Sequence, residues 1–432
     1  MQSSIIETTY PLTFREADAK ALAEQLERRH SVELVGMKRV GINNFLRFFL
    51  FHEGIKKKYF STPQNHLFIS VDLNDLIERE LFPFWRLTFK RIVDAVDESA
   101  IDAKIKEKIS DLFARSIQTG DLFLTYDGVR NALSTLVKAD FLPTIFFTRF
   151  DRLSDVITAD FFGNLEALKD ATNDKVSFVF TSYKDLDTIA KESFERKSFS
   201  TFSTILYIKP AKPTDMEVIF ESIAKRYEVG DGAFQKPSIT LSGGHVQYLQ
   251  LCLIVLRELK QKEKTVSQDA FEKAVMDDER VALQSEELWE SLTTEEKDIL
   301  EKVAGKKEIT EKEKDSGYYL WESGFVEGKT IFSPLLAHFA VGHEGKEEMV
   351  DGSSIELSKK EHMLFKLLDQ YPNEIVERET IVEQVWPEYS EYGVSDWSVD
   401  RLVARLRGKL KQQKNTAEIT TIRTRGYKLI TK

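Results

Sequence analysis

The sequence predicts a multidomain protein of the α/β plus α+β class, with a parallel sheet domain, a helical domain and two small mixed domains. Three observations predict it. The chain has 432 residues, which is enough for about three domains at roughly 150 residues each. Its first half alternates continuous apolar runs with longer amphipathic stretches, as in a buried parallel sheet covered by helices. Its last residues are strongly basic, although the chain carries a formal net charge of −10.

Five apolar runs predict the strands of the sheet. Each run is short and is separated from the next by a stretch with helical periodicity, and residues 75–138 are expected to be mostly helical. Parallel strands need long crossover connections, which these helices supply. We therefore expect residues 1–212 to form one α/β domain whose strands are residues 32–35, 66–72, 143–148, 176–181 and 203–208.

Beyond Pro210 and Pro213 the pattern contains only helices, and residues 213–281 are expected to form a helical lid domain. Residues 282–342 are a third block and are expected to form a winged-helix-like domain, in which Thr293 caps a helix and residues 318–333 supply a second helix and a strand pair. Its mixed and partly acidic charge favours packing or protein contacts over DNA for this domain. The polar stretch 342–348 is the best linker in the chain. Residues 350–432 are then an independent domain.

This last domain has a strand at Ile355, a helix capped by Ser358, a second helix at 378–386, a third at 398–410 and a terminal hairpin. A break at Pro372 separates the first two helices. Apolar residues at helical spacing place one face of the third helix in the core: Val399, Leu402, Val403, Leu406 and Leu410.

The cations of this domain are local to its end. From Ser398 onward the chain has ten Lys or Arg and two acidic residues, a net charge of +8. The overall acidic balance excludes a protein that coats nucleic acid or membrane with its whole surface, so any contact with nucleic acid must be made here. A basic helix beside a basic hairpin is typical of a reader of duplex grooves. The alternative is a solvated helix face that carries charge for solubility.

The segment resembles the OmpR/PhoB-type winged helix of bacterial response regulators. The resemblance rests on the Val-Asp…Arg-Leu-Arg-x-Lys-Leu pattern within 398–410 and on Ile-Arg-Thr-Arg-Gly-Tyr at 422–427, which resembles the wing of that family. It implies double-stranded DNA as the partner, with the third helix in the major groove and the wing in the minor groove. It also implies a homodimer on DNA. The DNA-binding residues that it implies are Arg401, Arg405, Arg407, Lys409, Arg423 and Arg425, with Arg405 the best candidate for a base contact. For Arg407 the alternative is a local salt bridge with Asp400 or Glu383.

The first half contains a second motif, Gly-Met-Lys-Arg-Val-Gly at 36–41, which follows a strand and opens a helix as a phosphate-binding loop does. This half resembles a degenerate P-loop module of the STAND/AAA+-like ATPases. The lysine and hydroxyl that such a loop needs are replaced by Ile42 and Asn43, and the two acids after the third strand are replaced by Thr148 and Arg149.

The resemblance leaves a weak nucleotide site as a hypothesis, formed by Gly36, Lys38, Arg39, Gly41, Asn43 and Asp151. We expect no hydrolysis and no required cofactor, because the groups that would stabilise charge on the γ-phosphate are missing together. Weak binding of ATP or ADP through backbone amides stays open.

Few other residues suggest chemistry. His245 follows Gly-Gly and is expected to be a buried residue at a helix start. The seven histidines show no ligand spacing, and with Cys252 as the single cysteine neither a metal site nor a disulfide is expected. The start shows no secretory signal, and no apolar run reaches the roughly 20 residues that span a bilayer, so a cytoplasmic protein without a membrane partner is expected.

The sequence therefore favours a DNA-binding transcriptional regulator, in which a catalytically inactive ATPase-like module acts as a sensor or scaffold and offers a surface to a protein partner. Two alternatives remain. One is an active STAND-type NTPase switch with DNA binding as its output. The other is an adaptor whose winged helix binds protein.

Overall fold

A computed structural model shows that the chain divides into two compact units, Met1–Gly342 and His343–Lys432. It describes residues 5–154, 156–191, 202–229, 232–262, 265–343, 357–387, 396–412, 417–422 and 425–430. The boundary between the units falls in the polar stretch that the sequence singles out. No helix among the described residues is both long enough and apolar enough to cross a membrane.

The first unit is built on a five-stranded parallel sheet with the strand order β2-β3-β4-β1-β5. All five predicted strands are present, within two residues of the predicted bounds. Every residue of the interior strand β1 is buried, as expected for a strand covered on both faces. The strands are β1 (Ser31–Val35), β2 (His66–Asp72), β3 (Leu142–Thr148), β4 (Ser177–Ser182) and β5 (Ser203–Tyr207).

Helices surround this sheet, and the predicted helical stretch 75–138 is confirmed as three of them. Two of these begin at aspartate caps: Asp102 accepts a hydrogen bond from the amide of Lys104, and Asp121 accepts one from the amide of Leu124. The helices of this part are α1 (Glu16–Glu27), α2 (Ile42–Phe51), α3 (Glu53–Tyr59), α4 (Leu81–Asp97), α5 (Ala103–Thr119), α6 (Leu122–Lys138), α7 (Ala159–Ala171) and α8 (Leu186–Ile189).

The described residues from 213 to 290 contain helices and no strand, as predicted. Pro213 begins the first of them, where its missing amide hydrogen costs nothing. Gly244 has a left-handed φ of 88° and accepts a 2.9 Å hydrogen bond from the amide of Ala211. A Cβ at Gly244 would collide with the backbone of Ala211. The helices are α9 (Pro213–Arg226), α10 (Gln235–Ser242), α11 (Val246–Lys262), α12 (Gln268–Met276) and α13 (Glu279–Glu290).

The third block of this unit has the predicted helix start and strand pair. Thr293 and Glu296 form a reciprocal capping box at the first helix of the block. Its elements are α14 (Thr294–Ala304), α15 (Glu311–Ser316), α16 (Tyr318–Glu322), β6 (Val326–Glu327), β7 (Thr330–Ile331) and α17 (Pro334–His343).

The second unit packs three helices against a three-stranded antiparallel sheet of order β8-β10-β9. The three predicted helices and the hairpin are confirmed, and the capping box of Ser358 and Glu361 opens the first helix. The predicted strand at Ile355 lies outside the described residues. A short strand between the first two helices was not predicted. The elements are α18 (Lys359–Gln370), β8 (Ile375–Glu377), α19 (Arg378–Val385), α20 (Asp396–Gln412), β9 (Glu418–Ile422) and β10 (Gly426–Ile430).

Candidate functional site

Helix α20 divides its side chains as its sequence predicts. The five apolar residues of the predicted face are all buried, none more than 3% exposed: Val399, Leu402, Val403, Leu406 and Leu410. Arg401 is exposed and Arg405 is half-buried. The helix therefore fixes one face to the core of the second unit and directs Arg401 to solvent.

Arg407 points toward the hairpin. Its Nε donates a 2.8 Å hydrogen bond to the carbonyl oxygen of Ile419, and its Nη2 donates one of 2.8 Å to Oγ1 of Thr421. The local partner of Arg407 is thus the hairpin, and not Asp400 or Glu383 as in the alternative that the sequence left open. The guanidinium binds a backbone carbonyl of β9 and so joins α20 to that strand. A backbone carbonyl has no signature in the sequence.

Lys409 also has a partner within the domain. Its Nζ lies 2.8 Å from Oε2 of Glu361, a carboxylate that is 3% exposed and belongs to the capping box of α18. Burial alone would raise the pKa of Glu361, but the hydrogen bonds from Lys409 and Ser358 outweigh it and hold this pKa below its ordinary value. Lys409 therefore joins the last turns of α20 to the start of α18.

A polar cluster joins α19, α20 and β10. Nη2 of Arg378 donates to Oδ1 of Asp400 at 2.5 Å and to the hydroxyl of Tyr427 at 2.9 Å, and Tyr427 donates to the same carboxylate. Burial and the neighbouring Asp400 raise the pKa of Tyr427. The cluster fixes the angle between α20 and the β9–β10 hairpin, because each element contributes one member.

The hairpin carries an exposed cation at its turn. Nη2 of Arg425 lies 3.9 Å from Oε1 of Glu377, and both side chains are about 60% exposed. Such a pair is weak in water. Arg423, the other predicted wing residue, lies outside the described residues. Of the predicted DNA-binding residues that the structure describes, Arg401 and Arg425 are exposed and Arg405 is half-buried, whereas Arg407 and Lys409 bond to other elements of the domain.

The glycine loop of the first unit lies between β1 and α2, as predicted. Gly41 caps α2 with φ of 116°, a conformation that L residues with a side chain rarely adopt. A Cβ at Gly41 would lie 2.6 Å from Cγ2 of Val246, at the start of α11. Helix α11 therefore packs directly against the glycine loop.

The cations of this loop are engaged by other parts of the unit. Nε of Arg39 lies 3.4 Å from Oε2 of Glu287 on α13, and its Nη1 donates to Oε1 of Gln247 on α11 at 3.2 Å. Nζ of Lys38 lies 4.7 Å from the ring centroid of Tyr183. Both side chains therefore contact other residues of the unit, whereas the nucleotide hypothesis assigns them to a phosphate.

His245 confirms the sequence interpretation, because it is fully buried directly before α11. The amide of Tyr248 donates to its Nδ1 at 3.3 Å, so Nε2 carries the proton and donates to the carbonyl oxygen of Lys38 at 2.8 Å. Burial lowers the pKa of His245 to about 4. A neutral histidine therefore bonds the lid to the loop.

The end of β3 shows what replaces the missing acids. Arg149 adopts a left-handed φ of 58°. Its Nη1 donates to both carboxylate oxygens of Asp72 at the end of β2. Burial alone would raise the pKa of Asp72, but the bonds from Arg149 outweigh it and lower this pKa. Sequence reasoning missed Asp72 as a partner, although its position at the end of a neighbouring parallel strand was a usable signal.

Asp151 lies in the short turn of helix Phe150–Leu153 that follows β3. Burial raises the pKa of its carboxyl, and the charge of nearby Lys38 opposes that rise. Lys38 is therefore close enough to act on the charge of Asp151, and the shared nucleotide site stays a hypothesis. Asn43 is half-buried in the first turn of α2. Among the described residues, no three His, Cys, Asp or Glu side chains are grouped as metal ligands.

Residues 352–429 match the family model described as "Transcriptional regulatory protein, C terminal". The second unit carries this OmpR/PhoB-type winged-helix domain. Within it, α20 and the β9–β10 hairpin occupy the positions that the sequence resemblance gives to the recognition helix and the wing. The chain is 35% identical over 96 residues to the heme response regulator HssR of Staphylococcus haemolyticus, covering 22% of this chain and 42% of that protein. It is 31% identical over 96 residues to the transcriptional regulatory protein ResD of Bacillus subtilis, covering 22% and 39%. The chain thus spans about two-fifths of the length of these relatives.

Two solved structures are similar over a longer stretch at low identity. The Walker-type ATPase PABY2304 of Pyrococcus abyssi is 15% identical, with 76% of this chain and 95% of that chain covered and a TM-score of 0.48. The ORC1 protein of Aeropyrum pernix in complex with DNA is 14% identical, with 96% and 88% covered and a TM-score of 0.42.

Proposed function

We propose that the chain is a transcriptional regulator that binds duplex DNA, with the recognition helix α20 in the major groove and the wing in the adjacent minor groove. The winged-helix domain carries this proposal, because it presents exposed Arg401 on α20 and exposed Arg425 on the wing. An arginine on a helix can reach base edges or phosphates, and one on a wing can follow the minor groove. Arg407 contributes by bonding α20 to the wing, and Lys409 by bonding α20 to α18.

Titration of a mixed-sequence duplex with the full chain at several salt concentrations tests the proposal. Binding driven by phosphate contacts weakens steeply as salt rises, because condensed counterions are released on binding. Arg401→Glu is expected to weaken binding strongly, and Arg425→Glu to weaken it less. Lys366→Glu is the matched control, since Lys366 is an exposed cation on α18.

Equal affinity for the Arg401→Glu and Lys366→Glu proteins would contradict the proposed face. Binding no stronger than that of an acidic control protein would contradict DNA as the partner, and would instead favour an adaptor whose winged helix binds protein. Binding as a dimer predicts two occupied half-sites about one helical turn apart, which footprinting resolves.

We further propose that the first unit does not hydrolyse nucleotides and acts as a sensor or scaffold. The residues present do not fit Mg²⁺-ATP: the loop ends in Ile42 and Asn43, and Arg149 holds Asp72 in an ion pair where metal ligands would be needed. Lys38 and Arg39 are directed to Tyr183 and Glu287. The lid is bonded to the loop through His245.

Phosphate release from ATP with Mg²⁺ tests this second proposal. We expect none above background in the full chain, and the same background in Asp151→Ala. Turnover in the unmodified chain that disappears in Asp151→Ala would establish an active NTPase switch, and the scaffold proposal would fail. The DNA titration with and without ATP shows separately whether a nucleotide binds and changes affinity.

A further inference from the structure

An acidic side chain lies in the middle of the buried sheet of the first unit. Glu33 is on the interior strand β1, between Phe180 of β4 and Ile205 of β5, and it is 1% exposed. A carboxylate in such a place is costly unless it is paired with a cation or carries a proton. Glu33 is not among the residues proposed to bind nucleotide or DNA.

The contacts of Glu33 are with neutral groups. Its Oε1 accepts a 2.7 Å hydrogen bond from the amide of Leu186 and a 3.2 Å hydrogen bond from Oγ of Ser182. Its hydrogen-bond partners are an amide and a hydroxyl, and the charges that act most on it are those of Asp185 and Asp187. Leu186 is the first residue of α8, so Glu33 holds the start of that helix against the sheet.

The same connection carries the contacts with the third block of the unit. Tyr319 on α16 donates to the carbonyl oxygen of Tyr183 at 2.5 Å, and Tyr318 donates to Oδ2 of Asp185 at 3.4 Å. Nζ of Lys184 lies 2.6 Å from Oε2 of Glu296 on α14, with both side chains buried. Residues 183–186 are therefore a joint between the sheet and this block, and Glu33 lies beneath it.

The charged groups around the joint oppose a negative charge on Glu33. Asp185 and Asp187 face it from the α8 side, while Tyr207 of β5 and Tyr318 of α16 add titratable hydroxyls. Lys184, the cation of the joint, is paired with Glu296. Burial raises the pKa of Glu33 to about 8, with Asp185 and Asp187 adding to the rise and the bonds from Leu186 and Ser182 opposing it.

We propose that Glu33 is a proton-linked latch: its protonated carboxyl keeps residues 183–186 docked on β1, and loss of that proton to water accompanies their release together with α14 and α16. The latch lies wholly within the first unit, and it does not depend on DNA binding or on nucleotide.

The direction follows from proton linkage. In the open joint Glu33 has an ordinary carboxyl pKa of about 4.3, whereas in the closed joint the pKa is about 8. The closed form therefore binds the extra proton between these two values. The open fraction should rise about tenfold for each pH unit in this window and should level off above about pH 8.

Hydrogen exchange of the full chain between pH 5.5 and 8.5 tests the latch, with each rate divided by the intrinsic rate at that pH. In the unmodified chain, the exchange of residues 183–190 and of α14 and α16 should rise about tenfold per pH unit and then level off. Glu33→Gln should remove this dependence, because an amide binds no proton. Glu98→Gln, at an exposed glutamate, should keep it.

Asp187→Asn provides a second, milder test that leaves Glu33 in place. Removing one negative charge lowers the pKa of Glu33 in the closed joint, so the levelling should begin at a lower pH. A merely structural role would change the rates without moving this point. A Glu33→Gln protein with the slope of the unmodified chain would overturn the latch. If Glu33→Gln does not fold, an unmoved levelling point in Asp187→Asn overturns it equally.

Discussion

The glycine loop of the first unit and helix α20 of the second unit both bring several cations to one place, and they use them in opposite ways. Around the loop, Arg39 and Arg149 are paired with Glu287 and Asp72, which lie on other elements of the same unit. On α20, Arg401 is exposed to solvent. A motif in the sequence shows where cations are, but the fold decides how far each of them is exposed to a ligand.

Helix α20 repeats this division within itself. Arg407 and Lys409 hold the domain together, whereas Arg401 is directed outward, although all three belong to one basic run. Substitutions that separate stability from DNA affinity therefore test the comparison.

The largest stability effect is expected at His245, whose contact with Lys38 joins lid and loop. Burial lowers the pKa of His245 to about 4 in the folded chain, whereas in the unfolded chain it is about 6.5. The unfolded chain therefore binds the proton at a higher pH than the folded chain. The free energy of unfolding should fall by about 3 kcal/mol as the pH drops from about 6.5 to about 4. His245→Asn should remove this component. Hydrogen exchange of α11 between pH 4 and pH 7 measures it, with the exposed His338→Asn as the control. Equal pH profiles for the two variants would show that His245 does not join lid and loop.

Arg407→Ala should destabilise the second unit by about 2 kcal/mol, because a charged donor leaves a strand carbonyl and a threonine hydroxyl. The exchange of β9 and β10 in the full chain measures this loss. Arg407→Lys should restore little, since an ammonium cannot reproduce the planar fork. Unchanged protection of both strands would return Arg407 to the set of exposed DNA-binding candidates.

Lys409→Met should lower the free energy of unfolding of the second unit by on the order of 2 kcal/mol or less, because buried Glu361 loses its ammonium partner. The loss should be smaller than for Arg407→Ala, because Lys409 is partly in contact with water. The lowered pKa of Glu361 makes a contribution to stability that is present above the ordinary carboxyl pKa of about 4.3 and is lost as pH falls below it. Lys409→Met should flatten this part of the profile. Exchange of α18 between pH 3 and pH 7 reports it, and a profile that keeps its slope would rule out the pair as its source.

Arg401→Ala should change stability least, by no more than about 0.5 kcal/mol, because the side chain is exposed. Its effect should fall on DNA instead, as a salt dependence of affinity that is shallower by about 1 in the logarithmic slope. Thermal unfolding and the duplex titration measure the two quantities on the same protein. A large loss of stability with unchanged DNA affinity would reverse the comparison.

The sequence predicted elements well where a long pattern recurs. Five apolar runs identified the sheet, and five apolar positions on α20 identified its buried face, because burial on a strand or helix imposes a regular spacing. Strand β8 was missed because its three residues, Ile375–Glu377, are too few to show a period. The helix starts at Thr293 and Ser358 were predictable because a cap is a local interaction.

The candidate sites were harder to predict because their partners are distant in sequence. His245 bonds to a carbonyl 207 positions away, and Arg149 pairs with an aspartate 77 positions away. Arg407 bonds to a backbone oxygen, which every residue has. No spacing rule encodes such partners, so the sequence located the cations and only the fold showed which of them reach solvent.

The close approach of Gly244 to Ala211 has a mechanical consequence. Ala211 leads into the first lid helix, and Gly244 stands directly before His245 and α11. Backbone meets backbone there, so no change of rotamer could make room for a side chain. This contact joins the segment that leads into α9 to the segment that leads into α11. We therefore expect these two lid helices to move as one rigid body.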